Sequence, residues 1–368
     1  MKCRIAAPAP NDFAEVYPNG RRGHGPKLQC YPLRRSTEEA TMKTKTSLMR
    51  FLAAALAAAL STGTLPCAAQ QYPAKPILML MPLQAGSAVD VMIRIVAQKM
   101  GDNLGQQIVI ENQPGAAGSI GAERVKRAPP DGYTVGVLND SILTMIPNIR
   151  PVGYDPVKDF APVGVVAAIT WVMVVNNDLP AKTVAEFVAL AKARPGKMDY
   201  SSGGNGSPQH VAMEAFKAAT GIDLTHIPYR GATAAAVEVM SNRVQAHFSA
   251  VSIVQPYIKD GRMRALGVPS GARSPLLPAV PTFAEAGVPG FEWRTWASFV
   301  LPLATPAPIV ERLNAEMVKA VSSADVREKL IAQGLEPIGS RPETVTQWTR
   351  DGLKRMHDIV QRARIQAE

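Results

Sequence analysis

The residues with the most chemistry on offer are small and polar, set in loops. Pro82-Leu-Gln-Ala-Gly-Ser-Ala-Val-Asp90 lies between an apolar run of strand length, 77–81, and Val91, Ile95, Val96 and Met100 at helical spacing. Such a loop aims unpaired backbone N–H groups and the positive end of a helix at one point, which suits an anion. The alternative is an ordinary strand-to-helix turn. Asn139-Asp-Ser141 follows a second buried strand, 133–138, so its side chains should emerge at the carboxyl edge of a sheet, where open α/β folds bind ligands. Ser201-Ser-Gly-Gly-Asn-Gly-Ser-Pro208 is another polar small-residue loop, with Ser207 a natural N-cap and Pro208 a natural first helical residue. Residues 249–252 read as a third loop.

Other chemistries find less support. His210 and Glu214 stand four apart on one helix face, but no third ligand group accompanies them, so the pair reads as solvated or packed rather than metal-binding. Gly115-x-x-Gly118-x-x-Gly121 has the wrong middle spacing for a dinucleotide fingerprint, and no acidic strand end follows. No Gly-x-Ser-x-Gly elbow surrounds a serine, and no Ser/His/Asp set stands out. Asn205-Gly-Ser207 matches a glycosylation acceptor, which means little beside a bacterial-type export signal.

The elements that must position these loops alternate in type. Strands are expected over 77–81, 107–111, 133–138, 163–166, 171–175, 224–228, 245–248, 264–268 and 292–301. Helices fall between them, including 184–193 behind the N-cap Thr183. A Pro-rich connection spans 269–292, and helices collect at the end over 309–321, 325–333 and 342–364. The pattern is α/β, with terminal helices packed on one lobe.

The first 69 residues read differently. Met42–Arg50 is a basic n-region, Phe51–Leu60 a short Ala/Leu h-region, and Ser61–Ala69 a c-region ending in small residues. That is a secretory signal peptide, too short to span a membrane. Cys67 would suit a lipid anchor, but Pro66 stands where a small residue is needed. Residues 1–41 read as a mis-assigned start or a disordered leader. The first 69 residues hold ten Lys/Arg and four Asp/Glu, six of the +10 net charge, which leaves +4 for the remainder. The high pI is therefore no argument for nucleic-acid binding. All three cysteines, Cys3, Cys30 and Cys67, lie in the same stretch. A cysteine-free remainder suits an exported protein without disulfides. No later apolar run approaches membrane-spanning length, and about 300 residues is typical of two lobes.

Several segments together resemble the Bug-type extracytoplasmic receptors, the solute-binding components of tripartite tricarboxylate transporters. They are Tyr72-Pro-x-Lys-Pro76, the loop 82–90, Val109-Ile-Glu-Asn-x-Pro-Gly-Ala-x-Gly-Ser-Ile-Gly121, Pro130-Asp-Gly-Tyr-Thr134 and Tyr154-Asp-Pro-Val-Lys-Asp-Phe-Ala-Pro162. Gly206-Ser-Pro-x-His210, Ile227-Pro-Tyr-Arg-Gly231, Val280-Pro-Thr-Phe-Ala-Glu-Ala-Gly287 and Thr305-Pro-Ala-Pro308 complete the match. The resemblance implies a two-lobed type II periplasmic-binding-protein fold with a cleft between the lobes. One lobe would comprise 72–172 and 296–368, the other 173–295, with crossings near Val172–Val175 and Trp296–Val300. It implies ligand contacts from Gly86, Ser87 and Ala88, from Asn139, Asp140 and Ser141, from Gly204, Asn205, Gly206 and Ser207, and from Tyr229 and Ser249. The sequence departs from the family pattern at Ser87, Val89, Asn139, Asp140 and Ser249. An ionised Asp140 facing the cleft would favour a zwitterion, amide or N-heteroaromatic acid over a full anion. The expected protein is a periplasmic, monomeric receptor, without catalysis, cofactor or metal. It would capture a carboxylate, amino acid, amide or aromatic acid and deliver it to membrane permease subunits. The alternatives are a receptor docking on a sensor's outer domain, or an exported enzyme acting on small acids.

Overall fold

The computed structural model describes residues 72–365. Its strands form two mixed sheets. In the first, β1 (Ile77–Met81) is flanked in parallel by β2 (Ile108–Asn112) and β3 (Thr134–Asn139), with Ile77 opposite Ile108 and Leu78 opposite Thr134. β4 (Phe160–Ile169) also belongs to this sheet. In the second sheet, β5 (Trp171–Asn176) lies next to the edge, and β6 (Asp199–Ser202), β7 (Thr225–Pro228), β8 (Ala246–Ala250) and β9 (Met263–Gly267) complete it in the order β7-β6-β8-β5-β9, with β8 central. The chain then returns. β10 (Thr295–Pro302) inserts antiparallel between β3 and β4, and the short β11 (Leu335–Pro337) closes the far edge of the first sheet.

Each parallel strand feeds a helix whose apolar stripe covers the sheet. α1 (Ala88–Leu104) buries Val89, Met92, Ile93, Val96 and Met100, and Gly105 in the left-handed region ends it. α2 (Ser119–Lys126) follows β2, and a wide helical turn (Ser141–Met145) with α3 (Ile146–Ile149) follows β3. In the second sheet α4 (Val184–Ala193) starts at Thr183, whose hydroxyl accepts the Glu186 N–H as expected. α5 (Pro208–Thr220) follows β6, α6 (Ala232–Met240) follows β7 and α7 (Val251–Lys259) follows β8. Phe216, Phe248, Phe283 and Phe291 interlock there with ring centroids 5.3–5.9 Å apart. The terminal helices α8 (Ala307–Ser322), α9 (Ala324–Ala332) and α10 (Pro342–Ala363) pack on the first-sheet side. Among the described residues no helix is long and apolar enough to cross a membrane.

Several expected boundaries move. β4 is one ten-residue strand, and only Thr170 separates it from β5. The chain therefore changes sheets at Thr170 and again just before Thr295. Val172–Val175 pair with β8 and β9, and Trp296–Val300 pair with β3 and β4, so both runs lie inside sheets. Apolar runs buried on both faces look alike in sequence whether they cross or stay. The expected loop at 249–252 does not exist. β8 runs to Ala250 and α7 begins at Val251, and Ser249, Ala250 and Val251 are buried core positions.

Candidate functional site

The loops at the carboxyl ends of β1 and β3 face those of β6 and β7 across a cleft of about 550 Å³. On the first-sheet side the wall is organised by the start of α1. The Ser87 hydroxyl accepts the Asp90 N–H at 3.2 Å, and an Asp90 carboxylate oxygen accepts the Gly86 N–H at 2.9 Å, which makes a reciprocal cap. Burial pushes the Asp90 carboxyl up. The bonds from Arg94, Gly86 and Asn112 outweigh this and hold it below the usual carboxylate range. Ser87 N–H is taken by Gln84 O, and Val91 N–H by Ser87 O. That leaves the first-turn N–H groups of Ala88 and Val89, both in the cleft wall, for a ligand. Ser87→Ala should cost about 1 kcal/mol in urea denaturation through loss of this cap.

The second-sheet side repeats the device. Ser207 caps α5 by accepting the His210 N–H at 3.4 Å, and Pro208 carries no N–H. The Ser207 N–H goes to Gly204 O and the Val211 N–H to Ser207 O. Gln209 N–H remains in the wall. At α6 the Gly231 N–H is bonded to Tyr229 O, and the N–H groups of Ala232 and Thr233 open the helix at the same wall. Helix starts from both sides thus converge on one space.

The floor lies where the chain crosses between sheets. Ile169 pairs with Thr295, and the Trp171 indole N–H donates to Thr295 Oγ1 at 2.8 Å, which ties the two crossings together. Two further contacts bridge the cleft. Ser141 Oγ donates to Gly206 O at 3.1 Å, and a Cβ on Gly206 would overlap Ile146 Cδ1. The Gln84 side chain lies against Gly231.

The sequence-expected residues divide by direction. Ser87, Ala88, Asn139, Ser141, Gly204, Asn205 and Ser207 line the cleft; Gly86, Asp140, Gly206, Tyr229 and Ser249 do not. Gly86 is exposed beyond the wall, its N–H spent on Asp90. Asp140 is 1% exposed and points away between two lining neighbours. Burial pushes its carboxyl up to about 8, against the opposing effect of the Arg355 guanidinium, and neither oxygen receives a well-formed hydrogen bond. The preference for zwitterions argued from an ionised Asp140 in the cleft therefore loses its basis. Ser249 is fully buried opposite Val172, and the next residue, Ala250, reaches the wall. The Tyr229 hydroxyl is pushed up by burial and by Glu238, which places it toward α6, while Arg230 lines the cleft. Ser249 and Ala250 lie in a strand, where consecutive side chains take opposite sides.

His210 and Glu214 each have other partners. His210 Nδ1 accepts the Gly206 N–H at 3.1 Å and its ring stacks on His226 at 4.1 Å, while Glu214 accepts from the Tyr200 hydroxyl and from Lys217. Among the described residues no group of three His, Cys, Asp or Glu is placed to hold a metal ion.

Sequence reasoning missed Arg150, Arg230, Trp171, Thr295 and the loop 114–118, all in the wall. Ala116 and Ala117 hold left-handed backbone angles there, φ 46° and 52°, a strain found at ligand clamps. Arg150 and Ser119 both donate to Ala116 O and fix this turn. A signal was available, since Gly115 and Gly118 stand in a loop after a parallel strand. The ionisable groups of the described wall are Arg150 and Arg230, one from each side, with no carboxylate among them. The cleft is electropositive, rich in N–H donors, and built for an anion.

Comparison with known proteins agrees. Residues 92–365 match the family described as tripartite tricarboxylate transporter family receptor. Protein BugT of Bordetella pertussis is 34% identical over 300 residues, 80% of this chain and 91% of the relative. The structure of Rpa4515 from R. palustris with adipate superposes with a TM-score of 0.77 at 31% identity, over 80% of this chain and 99% of that one. MatC from Rhodopseudomonas palustris with bound malate gives a TM-score of 0.74 at 28% identity, over 78% and 100%.

Proposed function

This chain belongs to the tripartite tricarboxylate transporter receptor family, and we propose that it captures a small carboxylate in the periplasm for delivery to membrane permease subunits. The observation that carries the carboxylate is the cleft wall. Free helix-start N–H groups and one arginine come from each side, and no acid opposes them. The relatives solved with adipate and malate support the same class of solute. The two sheets act as lobes that hinge at Thr170 and Thr295. A solute held from both sides stabilises the closed arrangement and shifts the population toward it. The closed monomer is the form the permease reads. Among the described residues the wall offers no carboxylate, imidazole, thiol or amine for a general base or covalent step, which favours a receptor over an enzyme.

Thermal unfolding of the purified protein with a panel of carboxylates, amino acids, amides and sugars tests this reading. A carboxylate near 100 times its dissociation constant should raise the midpoint by several degrees. A panel in which only amides or sugars do so would sink the carboxylate reading.

A further inference from the structure

Given solute capture in the cleft, the reading on which this inference rests, the two walls differ in one chemical respect. α1 and α5 open with the same device. In each, the N-cap serine accepts the N–H of the third helical residue, and the side chain of that residue accepts the N–H of the glycine before the serine. The sets are Ser87, Asp90 and Gly86 in α1, and Ser207, His210 and Gly206 in α5. Asp90 accepts as a carboxylate whose partners hold it below the usual range, so it stays ionised at neutral pH. His210 accepts through an unprotonated Nδ1, and imidazole is the side chain that changes charge between about pH 5 and 8. We infer that His210 is a positioning residue that makes solute capture pH-dependent: neutral, it holds the cleft loop 204–207, and protonated, it releases that loop and the solute with it.

A proton on Nδ1 turns the acceptor into a donor facing the Gly206 N–H, and it sets a positive charge beside the positive end of α5. Gly206 is where the loop is pinned. Its carbonyl accepts Ser141 Oγ from the opposite wall, and Gly204, Asn205 and Ser207 around it line the cleft. The loop's other end leans on a second imidazole. Gly204 N–H donates to Ser202 Oγ at 3.1 Å, Ser202 Oγ meets His226 Nε2 at 2.6 Å, and the His226 ring stacks on His210 at 4.1 Å. Both rings cannot be charged at that distance without repulsion. On β6 the Tyr200 ring stacks on His210 at 6.5 Å. Glu214 and Lys217, further along α5, offset each other at 2.9 Å. His247 lies with Ser201 on the other face of β6, and Lys354, His357 and Asp358 of α10, which packs on α5, are exposed. A bound solute clamps the loop from the cleft side, so the free protein takes up the proton and the bound protein does not. Binding therefore weakens as pH falls.

NMR of the purified protein, labelled with ¹⁵N in glycine amides and histidine rings, reads the bond directly between pH 8 and 5. The Gly206 amide should shift with the His210 ring titration and lose its exchange protection as the ring protonates. A Gly206 amide that stays protected beside a protonated His210 overturns the inference, with or without solute. Calorimetry with adipate and with malate at pH 7.5 and 5.5 supplies the second arm. His210→Asn keeps an acceptor for the Gly206 N–H and does not titrate, so comparing it with wild type cancels the protonation of the acid itself and of other groups. Wild type should lose up to about tenfold more affinity than the variant across this range, the limit for one imidazole that titrates only in the free protein. Unliganded unfolding midpoints establish that the variant folds. An equal loss in both proteins, or wild-type affinity that rises relative to the variant toward pH 5.5, overturns the inference and leaves the carboxylate reading standing. Binding of neither acid at either pH counts against the carboxylate reading, and the Gly206 amide still decides the inference.

Discussion

Gly231→Ala should lower stability by about 1–3 kcal/mol and also weaken solute binding several-fold, and Gln84→Ala should rescue only the binding. The two defects have separate origins. Gly231 holds φ 110° and ψ 161°, a region essentially reserved for glycine, so an alanine there is strained whichever way the sheets sit. That cost appears in urea denaturation of the unliganded protein. The second defect arises only when the cleft is closed. A Cβ on Gly231 would overlap Gln84 Oε1 and lie 2.5 Å from Gln84 Cδ. Gln84 follows β1 and Gly231 precedes α6, so the overlap falls between the two sides that the proposed closure brings together. Gln84 is flexible and can move aside, which limits the loss to several-fold. In Gln84→Ala/Gly231→Ala the obstacle is gone and affinity should return, while the unfolding free energy stays low. Equal affinity in wild type and Gly231→Ala would mean that closure does not bring these residues together.

The same residues show what sequence makes legible. The strand–loop–helix order and the caps Thr183 and Ser207 depend on neighbours within four positions, and they stand where the sequence places them. The anion-directed loop before α1 belongs to that class. Which member of a run faces the cleft is set by partners far along the chain. Asp140 turns toward Arg355 and β10 while Asn139 and Ser141 face inward, and Arg230 replaces Tyr229 for the same reason. The loop after β2 fails as a dinucleotide fingerprint, and its glycines after a parallel strand are the one local mark of a cleft wall. β11 spans three residues and ends in proline, too short for any periodicity to show. Family resemblance supplied the two-lobed expectation. It did not supply Arg150 or Arg230, because neither was among the positions carried over.

Between pH 6.5 and 8 the protein should lose roughly 2 kcal/mol of stability, and Asp140→Asn should abolish that loss. Burial pushes Asp140 up to about 8, against 3.8 for the free side chain, so across that window the native state keeps a proton that the unfolded chain releases. Stability then falls as pH rises, by about 1.36 kcal/mol per pH unit. His247 works in the opposite direction. Burial pushes it down to about 4 from 6.5, with its Nδ1–H on Ser201 O at 2.8 Å and its Nε2 unpartnered. From pH 4 to 6.5 the unfolded chain binds a proton that native His247 refuses, so stability rises with pH. The two slopes offset each other below 6.5, and above it the Asp140 slope is no longer opposed by His247. Asparagine keeps the shape of the neutral acid and has no proton to lose. Urea denaturation of wild type and Asp140→Asn at pH 5, 6.5 and 8 separates the contributions. The variant should gain stability from pH 5 to 6.5, where wild type is nearly flat, and hold it to pH 8, where wild type declines. A wild-type curve level from 6.5 to 8, or a variant that declines with it, would show that Asp140 is ionised in the fold. The Arg355 guanidinium and nearby backbone N–H groups would then outweigh burial, and a charged rather than a neutral acid would lie behind the wall of the cleft.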